Sequence, residues 1–326
     1  NVRTIGITEK NLDFLNQLYP KINKEGFPIK KIEIFNYKNS EKILEFDSRK
    51  KNEMWMFKYK KIYDFVKKKL YKESRFHTTK KNLDRLILNK NFLNSYDLII
   101  DTQLNNSFSR ANFSKRIKKD YFSKAFVTIF KHKKILNNSA SQIFTSYGPL
   151  AFLPLSSTET SVVFSVKNFK NSIIQQNEVK ELIKKYNLKY EITKFDKFEV
   201  FDLKLSLFRK YFHKNVLAFG DTLHRIHPLA GQGFNMTIRD IKILLEIIVS
   251  KYSLGLDLDS SVNYEFEKRL KHKNYIFSNG IDMVHEFFNF ERKINSSLLS
   301  KSVQLLNKSP KINKFFTKIA DRGTLI

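Results

Sequence analysis

Apolar positions along the chain follow two different periods. Near the start, Leu12, Leu15 and Leu18 recur at helical spacing, and Thr8 precedes them as a predicted N-cap. Residues 31–47 predict a hairpin. Ile32 and Ile34 on one side and Ile43, Leu44 and Phe46 on the other flank the turn-like run from Asn36 to Ser40. A second short helix is predicted around Ile62, Val66 and Leu70, followed by short strands ending at Tyr96-Asp-Leu-Ile-Ile100. Such strand–helix alternation predicts parallel strands joined by crossover helices.

From about residue 120 to 205 the pattern changes. Strands are predicted over 125–130, 142–145, 150–155, 161–166 and 198–203, with a helix over 172–186. Consecutive strands point to an antiparallel sheet, here a second domain inserted between pieces of the first. Pro149 and Pro154 bracket one strand and suit its ends. Residues 258–326 read as helices. Glu265, Lys268, Arg269, Lys271 and Lys273 form their polar faces, and Ile281, Val284, Phe287, Phe288 and Phe290 their apolar ones. No internal repeat or low-complexity linker interrupts the chain.

Composition narrows the classes. A length of 326 residues suits one large domain or two modest ones, and the 41% hydrophobic content supports a substantial core. No run of 18 apolar residues occurs, and the N-terminus lacks the order of a signal peptide. The absence of cysteine removes disulfides and thiolate metal sites and fits a reducing, cytoplasmic setting. A net charge of +28 would suit nucleic acid or an anionic membrane surface. Its lysines are spread over the whole chain, beside heavy use of Asn, Ile and Phe, as coding bias would also give. No nucleic-acid motif accompanies the charge, so nucleic acid is not an expected partner.

The densest chemistry lies in Gly220–Asp240, GDTLHRIHPLAGQGFNMTIRD, between the apolar run Val216–Phe219 and a long apolar helix. Strand, glycine turn and helix can present backbone N–H groups to an anion. Asp221, after Gly220, can accept hydrogen bonds from a polyol, or can simply cap its turn. Gly231-Gln232-Gly233 opens the helix, where unpaired N–H groups and the dipole favour negative charge; tight turning is the plainer reading. His224 and His227 have a spacing that could suit a metal, but Pro228 follows and no third ligand is evident, so no metal is expected.

This stretch closely resembles the second FAD-binding motif of the class A flavoprotein aromatic hydroxylases, most of all their ubiquinone-biosynthesis branch, the 2-polyprenylphenol and 2-polyprenyl-6-methoxyphenol hydroxylases. Gly220, Asp221, His224, His227, Pro228, Ala230, Gly231, Gln232, Gly233, Asn235, Arg239 and Asp240 are in register with it. Arg3-Thr-Ile-Gly-Ile7, Tyr147–Leu155, Val162–Ser165 and Tyr264–Arg269 are similar to further family segments. The resemblance implies an α/β fold: a Rossmann-like FAD-binding domain, an inserted antiparallel-sheet substrate domain and a helical C-terminal tail. On this pattern residues 1–30, 55–118 and 206–257 are FAD-domain pieces, 31–54 and 119–205 substrate-domain pieces, and 258–326 the tail. It also implies FAD and NAD(P)H as cofactors, with O2 and a polyprenylated phenol as substrates. A flavin hydroperoxide would transfer oxygen to the phenolic ring. Gly220, Asp221, Pro228, Ala230, Gly231, Gln232, Gly233, Asn235 and Arg3 would contact the cofactor: Asp221 the ribityl chain, Pro228 and Ala230 the flavin face, the Gly231–Gly233 helix start the pyrimidine edge, and Asn235 the ring. No acid–base residue is implied.

The chain departs from the family in places. GxGxxG is absent, and the resemblance begins just past where it belongs, so the first βαβ unit is expected to be missing from a truncated N-terminus. Asn106, Ser107 and Arg110 match the family's middle motif, but Gln103-Leu104 stand where Asp-Gly belongs and Asp101 comes two positions early. Thr237 replaces a glycine and should tighten helix packing. The protein is expected to be cytoplasmic, with the basic helical tail seating it on the inner membrane among ubiquinone-biosynthesis partners. The alternatives are a flavin hydroxylase of another small aromatic compound, and a non-catalytic basic binding protein or inactive fragment.

Overall fold

A computed structural model describes residues 2–36, 42–47, 51–79, 90–103, 106–113, 115–167, 175–226 and 232–294. In chain order the strands are β1 (Thr4–Thr8), β2 (Phe27–Ile29), β3 (Lys31–Asn36), β4 (Lys42–Asp47), β5 (Met54–Lys58), β6 (Ile99–Asp101), β7 (Arg116–His132), β8 (Ser139–Phe144), β9 (Pro149–Pro154), β10 (Glu159–Lys167), β11 (Ile192–Phe195), β12 (Glu199–Phe208), β13 (Phe212–His213), β14 (Val216–Ala218) and β15 (His224–Arg225). The helices are α1 (Glu9–Leu18), α2 (Tyr59–Leu70), α3 (Lys90–Asn94), α4 (Ser107–Asn112), α5 (Gln176–Tyr186), α6 (Gln232–Ser253) and α7 (Ser260–Ile294). The chain divides into two compact units: residues 1–70, 121–203 and 283–325, and residues 71–120, 204–282 and 326.

The first unit is built on sheets. The predicted hairpin is present, with Ile32 opposite Phe46 and Ile34 opposite Leu44. The predicted strands of the middle region assemble in the order β7-β10-β9-β8-β3-β4, antiparallel except for the parallel β3–β8 pair. Pro149 and Pro154 sit at the two ends of β9, where a missing N–H does least damage to the ladder. Period-2 alternation along β9 buries Leu150 and Phe152. They join Phe126, Phe130, Val162, Phe164 and Val166 and the apolar stripe Val179, Leu182 and Ile183 of α5. Ile29, Met54, Met56 and Ala140 form a separate cluster with the small β1-β5-β2 sheet.

That small sheet corrects one expectation. Its pairings are antiparallel, not the parallel arrangement that strand–helix alternation suggested. Short apolar runs carry no information about strand direction; the partner decides it. Thr8 does occupy the N-cap of α1, but its side chain makes no capping hydrogen bond.

In the second unit β13, β14 and β6 form a three-stranded sheet, and β14 and β6 are parallel. All three residues of β14 are buried, as expected for a strand covered on both faces. Phe219, Leu244 and Ile247, with Val262, Phe266 and Leu270, complete this core with residues of α6 and α7. Among the described residues no helix is long and apolar enough to cross a membrane.

Candidate functional site

β14 delivers the chain to Gly220, which has φ +61°, a left-handed conformation that glycine adopts without the strain a Cβ brings. A Cβ there would meet only the Thr237 methyl group, at 3.9 Å, so the requirement for glycine is conformational. Gly220–Thr222 form one 3₁₀ turn, closed by the Leu223 N–H donating to the Gly220 carbonyl at 3.0 Å. Within this turn Gly220 and Thr222 are buried and Asp221 is exposed.

Gln232 starts α6, with Gly233 next and Asn235 buried at 1% exposure. The first N–H groups of a helix have no partner within it, which leaves this end electropositive. Nearby, the Gln232 Oε1 and Thr222 Oγ1 atoms are buried without a hydrogen-bond partner. Thr237, on the first turns of α6, donates to the Gly233 carbonyl at 3.3 Å. Pro228, Ala230, Gly231 and His227 lie outside the described residues. Arg3 belongs to the first unit, exposed at the approach to β1, with its guanidinium 5.1 Å from the centre of the Tyr59 ring.

One buried pair was not assigned from sequence. His224 Nε2 lies 2.5 Å from Asp240 Oδ2, and the two side chains are 2% and 1% exposed. The pair ties β15, just after the turn, to the third turn of α6. Asn274 of α7 donates to both Asp240 oxygens at 3.4 and 3.5 Å. Burial pushes the Tyr211 hydroxyl well above its ordinary pKa; the Asp240 charge adds to this, while a bond with Asn274 opposes it. The Tyr211 N–H donates to Glu267 at 2.8 Å. Only His224 and Asp240 were visible in the motif. Tyr211 and Asn274 are brought in by folding.

The Asp101 loop has a different economy of hydrogen bonds. Asp101 is 4% exposed, and its carboxylate accepts from the Gln103 N–H at 3.0 Å, from Asn106 Nδ2 at 2.8 Å and from the Ser109 hydroxyl. Asn106 in turn caps α4, accepting from the Ser109 N–H at 2.6 Å. Asn106 therefore holds the start of α4, of which Ser107 is the first residue, and Asp101 holds the loop. Leu104 and Asn105 lie outside the described residues.

Comparison with known proteins adds to this geometry. The profile of the FAD binding domain matches residues 110–254. The chain is 29% identical over 160 residues to 3-demethoxyubiquinol 3-hydroxylase of Escherichia coli, covering 46% of this chain and 40% of that protein. It is 26% identical over 124 residues to the mitochondrial ubiquinone biosynthesis monooxygenase COQ6 of Schizosaccharomyces pombe, covering 38% of this chain and 26% of that one. The chain thus spans less than half the length of these relatives. In fold it is similar to p-nitrophenol 4-monooxygenase PnpA of Pseudomonas putida, with a TM-score of 0.72 at 12% identity over 98% of this chain and 89% of that one. It is also similar to HpxO of Klebsiella pneumoniae, crystallised with FAD and uric acid, with a TM-score of 0.71 at 10% identity over 97% and 87%. The chain thus carries a match to the FAD binding domain over residues 110–254, its sequence is similar to ubiquinone-biosynthesis monooxygenases, and its fold is similar to that of the flavin-dependent enzymes HpxO and PnpA.

Proposed function

We propose that the protein is an FAD- and NAD(P)H-dependent monooxygenase that hydroxylates the aromatic ring of a polyprenylated phenol in ubiquinone biosynthesis. The observation that carries this reading is the turn–helix pair: a left-handed glycine that presents an exposed Asp221, beside a helix N-terminus with an unsatisfied Gln232 oxygen. These residues fit a flavin. Asp221 can accept hydrogen bonds from the ribityl hydroxyls. The Gln232–Gly233 end of α6 can face the pyrimidine edge, where its dipole favours added negative charge by about 1 kcal/mol. Asn235, buried on the first turn of α6, would help hold the flavin ring, on the resemblance, and the His224–Asp240 pair ties turn and helix together. Pro228, Ala230 and Gly231 would complete the face, on the resemblance. FAD, reduced by NAD(P)H, supplies the oxygen-activating chemistry; the protein supplies binding, orientation and exclusion of water.

The enzyme would work at the aqueous surface of a membrane that holds the prenyl tail of its substrate. The test uses the product of the complete reading frame. It should purify with bound flavin, and a 2-polyprenylphenol should stimulate its NAD(P)H oxidation, with one atom of ¹⁸O₂ appearing in the ring. A flavin-free protein, or oxidation indifferent to every phenol supplied, would overturn the reading. Response to a short, unprenylated phenol alone would move the substrate to another small aromatic compound.

A further inference from the structure

The second unit contains a cavity of about 750 Å³ that none of Gly220, Asp221, Gln232, Gly233 or Asn235 lines. Its size falls within the range of small-molecule sites. Leu207, Phe208, Tyr211 and Leu223 supply an apolar and aromatic wall. The facing wall is one stripe of α7. Tyr264, Lys268, Lys271 and Tyr275 follow each other at spacings of four, three and four, so they share one helix face. The two tyrosines are 62% and 50% exposed, a large aromatic surface to leave in water on either side of two lysines.

The charges around this cavity are not all used within the protein. Lys271 is paired with Glu267 at 2.7 Å. Lys268 and Arg209, both exposed and both lining the cavity, form no ion pair among the described residues. His224 also lines it. Its Nε2 is committed to Asp240, so it closes the inner end of the cavity wall. Aromatic faces, with two cations that form no ion pair among the described residues, converge on one kind of ligand.

We propose that this cavity is a second ligand site, for a small aromatic compound that carries an anionic group. The ring packs against Phe208 and the α7 tyrosines, and the anion sits at Lys268 and Arg209. An aromatic carboxylate and a nucleotide share this chemistry. The proposal is independent of the hydroxylase reading, because among the described residues no proposed flavin contact lines the cavity.

Equilibrium dialysis of the complete protein against 4-hydroxybenzoate, AMP and uncharged p-cresol distinguishes the sources. One of the two anionic probes is expected to bind at one site per chain, and p-cresol at least about tenfold more weakly. The double variant Arg209→Glu with Lys268→Glu should weaken that probe by about tenfold or more, while flavin absorbance and circular dichroism stay as in the unaltered protein. Lys268→Gln alone should fall between the two. The proposal is overturned if neither anionic probe binds, if p-cresol binds equally well, or if the double variant binds as tightly as the unaltered protein. The last result is the one expected of a probe lodged in the flavin-side site. Flavin content read on the same samples reports failure of the hydroxylase reading separately.

Discussion

Strands β6 and β14 lie side by side in the second unit, and each runs into an aspartate. Asp101 ends β6; Asp221 follows β14 by three residues. The strands are in register, with Ala218 opposite Asp101, and the Phe219 N–H donates to the Asp101 carbonyl at 2.9 Å. The two carboxylates nevertheless serve opposite ends. Asp101 is buried and accepts from three groups of its own loop. Asp221 is turned outward by a left-handed glycine. An acid at the end of a parallel strand is therefore not a ligand contact by position alone; what differs here is whether the fold encloses it or turns it outward. The loop after β6 is closed around its aspartate, and the turn after β14 leaves its aspartate exposed.

The contrast can be broken by removing the buried groups on which each side depends. Asp240→Ala should have the largest effect. It leaves the buried His224 and Asn274 side chains without their shared partner, and should cost about 3–5 kcal/mol in denaturant unfolding. A loss below about 1 kcal/mol would mean that the pair does not hold the turn to its helix. Asp101→Ala comes next, at about 2–3 kcal/mol, because the Asn106 amide, the Gln103 N–H and the Ser109 hydroxyl lose their acceptor. If this variant kept full stability but lost flavin, Asp101 would be a ligand contact and the contrast would be wrong. Gly220→Ala should cost about 1–2 kcal/mol, from backbone strain alone, since nothing closer than the Thr237 methyl opposes the new Cβ. Gly220→Asn should recover part of it, because asparagine tolerates the left-handed region better.

Much of this was legible in the sequence, and what was not has physical reasons. The strands of the first unit were legible because alternation and bracketing prolines such as Pro149 and Pro154 are local signals. The 220–240 turn was legible because glycine, aspartate and a following helix stand next to one another. The direction of β1, β2 and β5 was not, since it depends on pairings such as Thr4 with Lys58, far apart in the chain. The role of Asp101 was hidden as well. It stands two places from the family's acid, and the acceptor count that decides its role needs Asn106 and Ser109, placed by the fold of the loop. The His224–Asp240–Asn274 network joins three elements, and no periodicity reports such a meeting. Thr8 shows the converse: its position is that of an N-cap, but the capping bond is not made.

On the proposed function, the turn after β14, and not the loop after β6, would face the flavin. Asp221→Ala tests it most directly. Because Asp221 is exposed, the variant should unfold within about 1 kcal/mol of the unaltered protein. Flavin retained per chain after purification, read from the visible absorbance, should nonetheless fall by about tenfold or more, the scale of a lost hydrogen bond from a charged acceptor. Full flavin content in a stably folded Asp221→Ala protein would contradict the account.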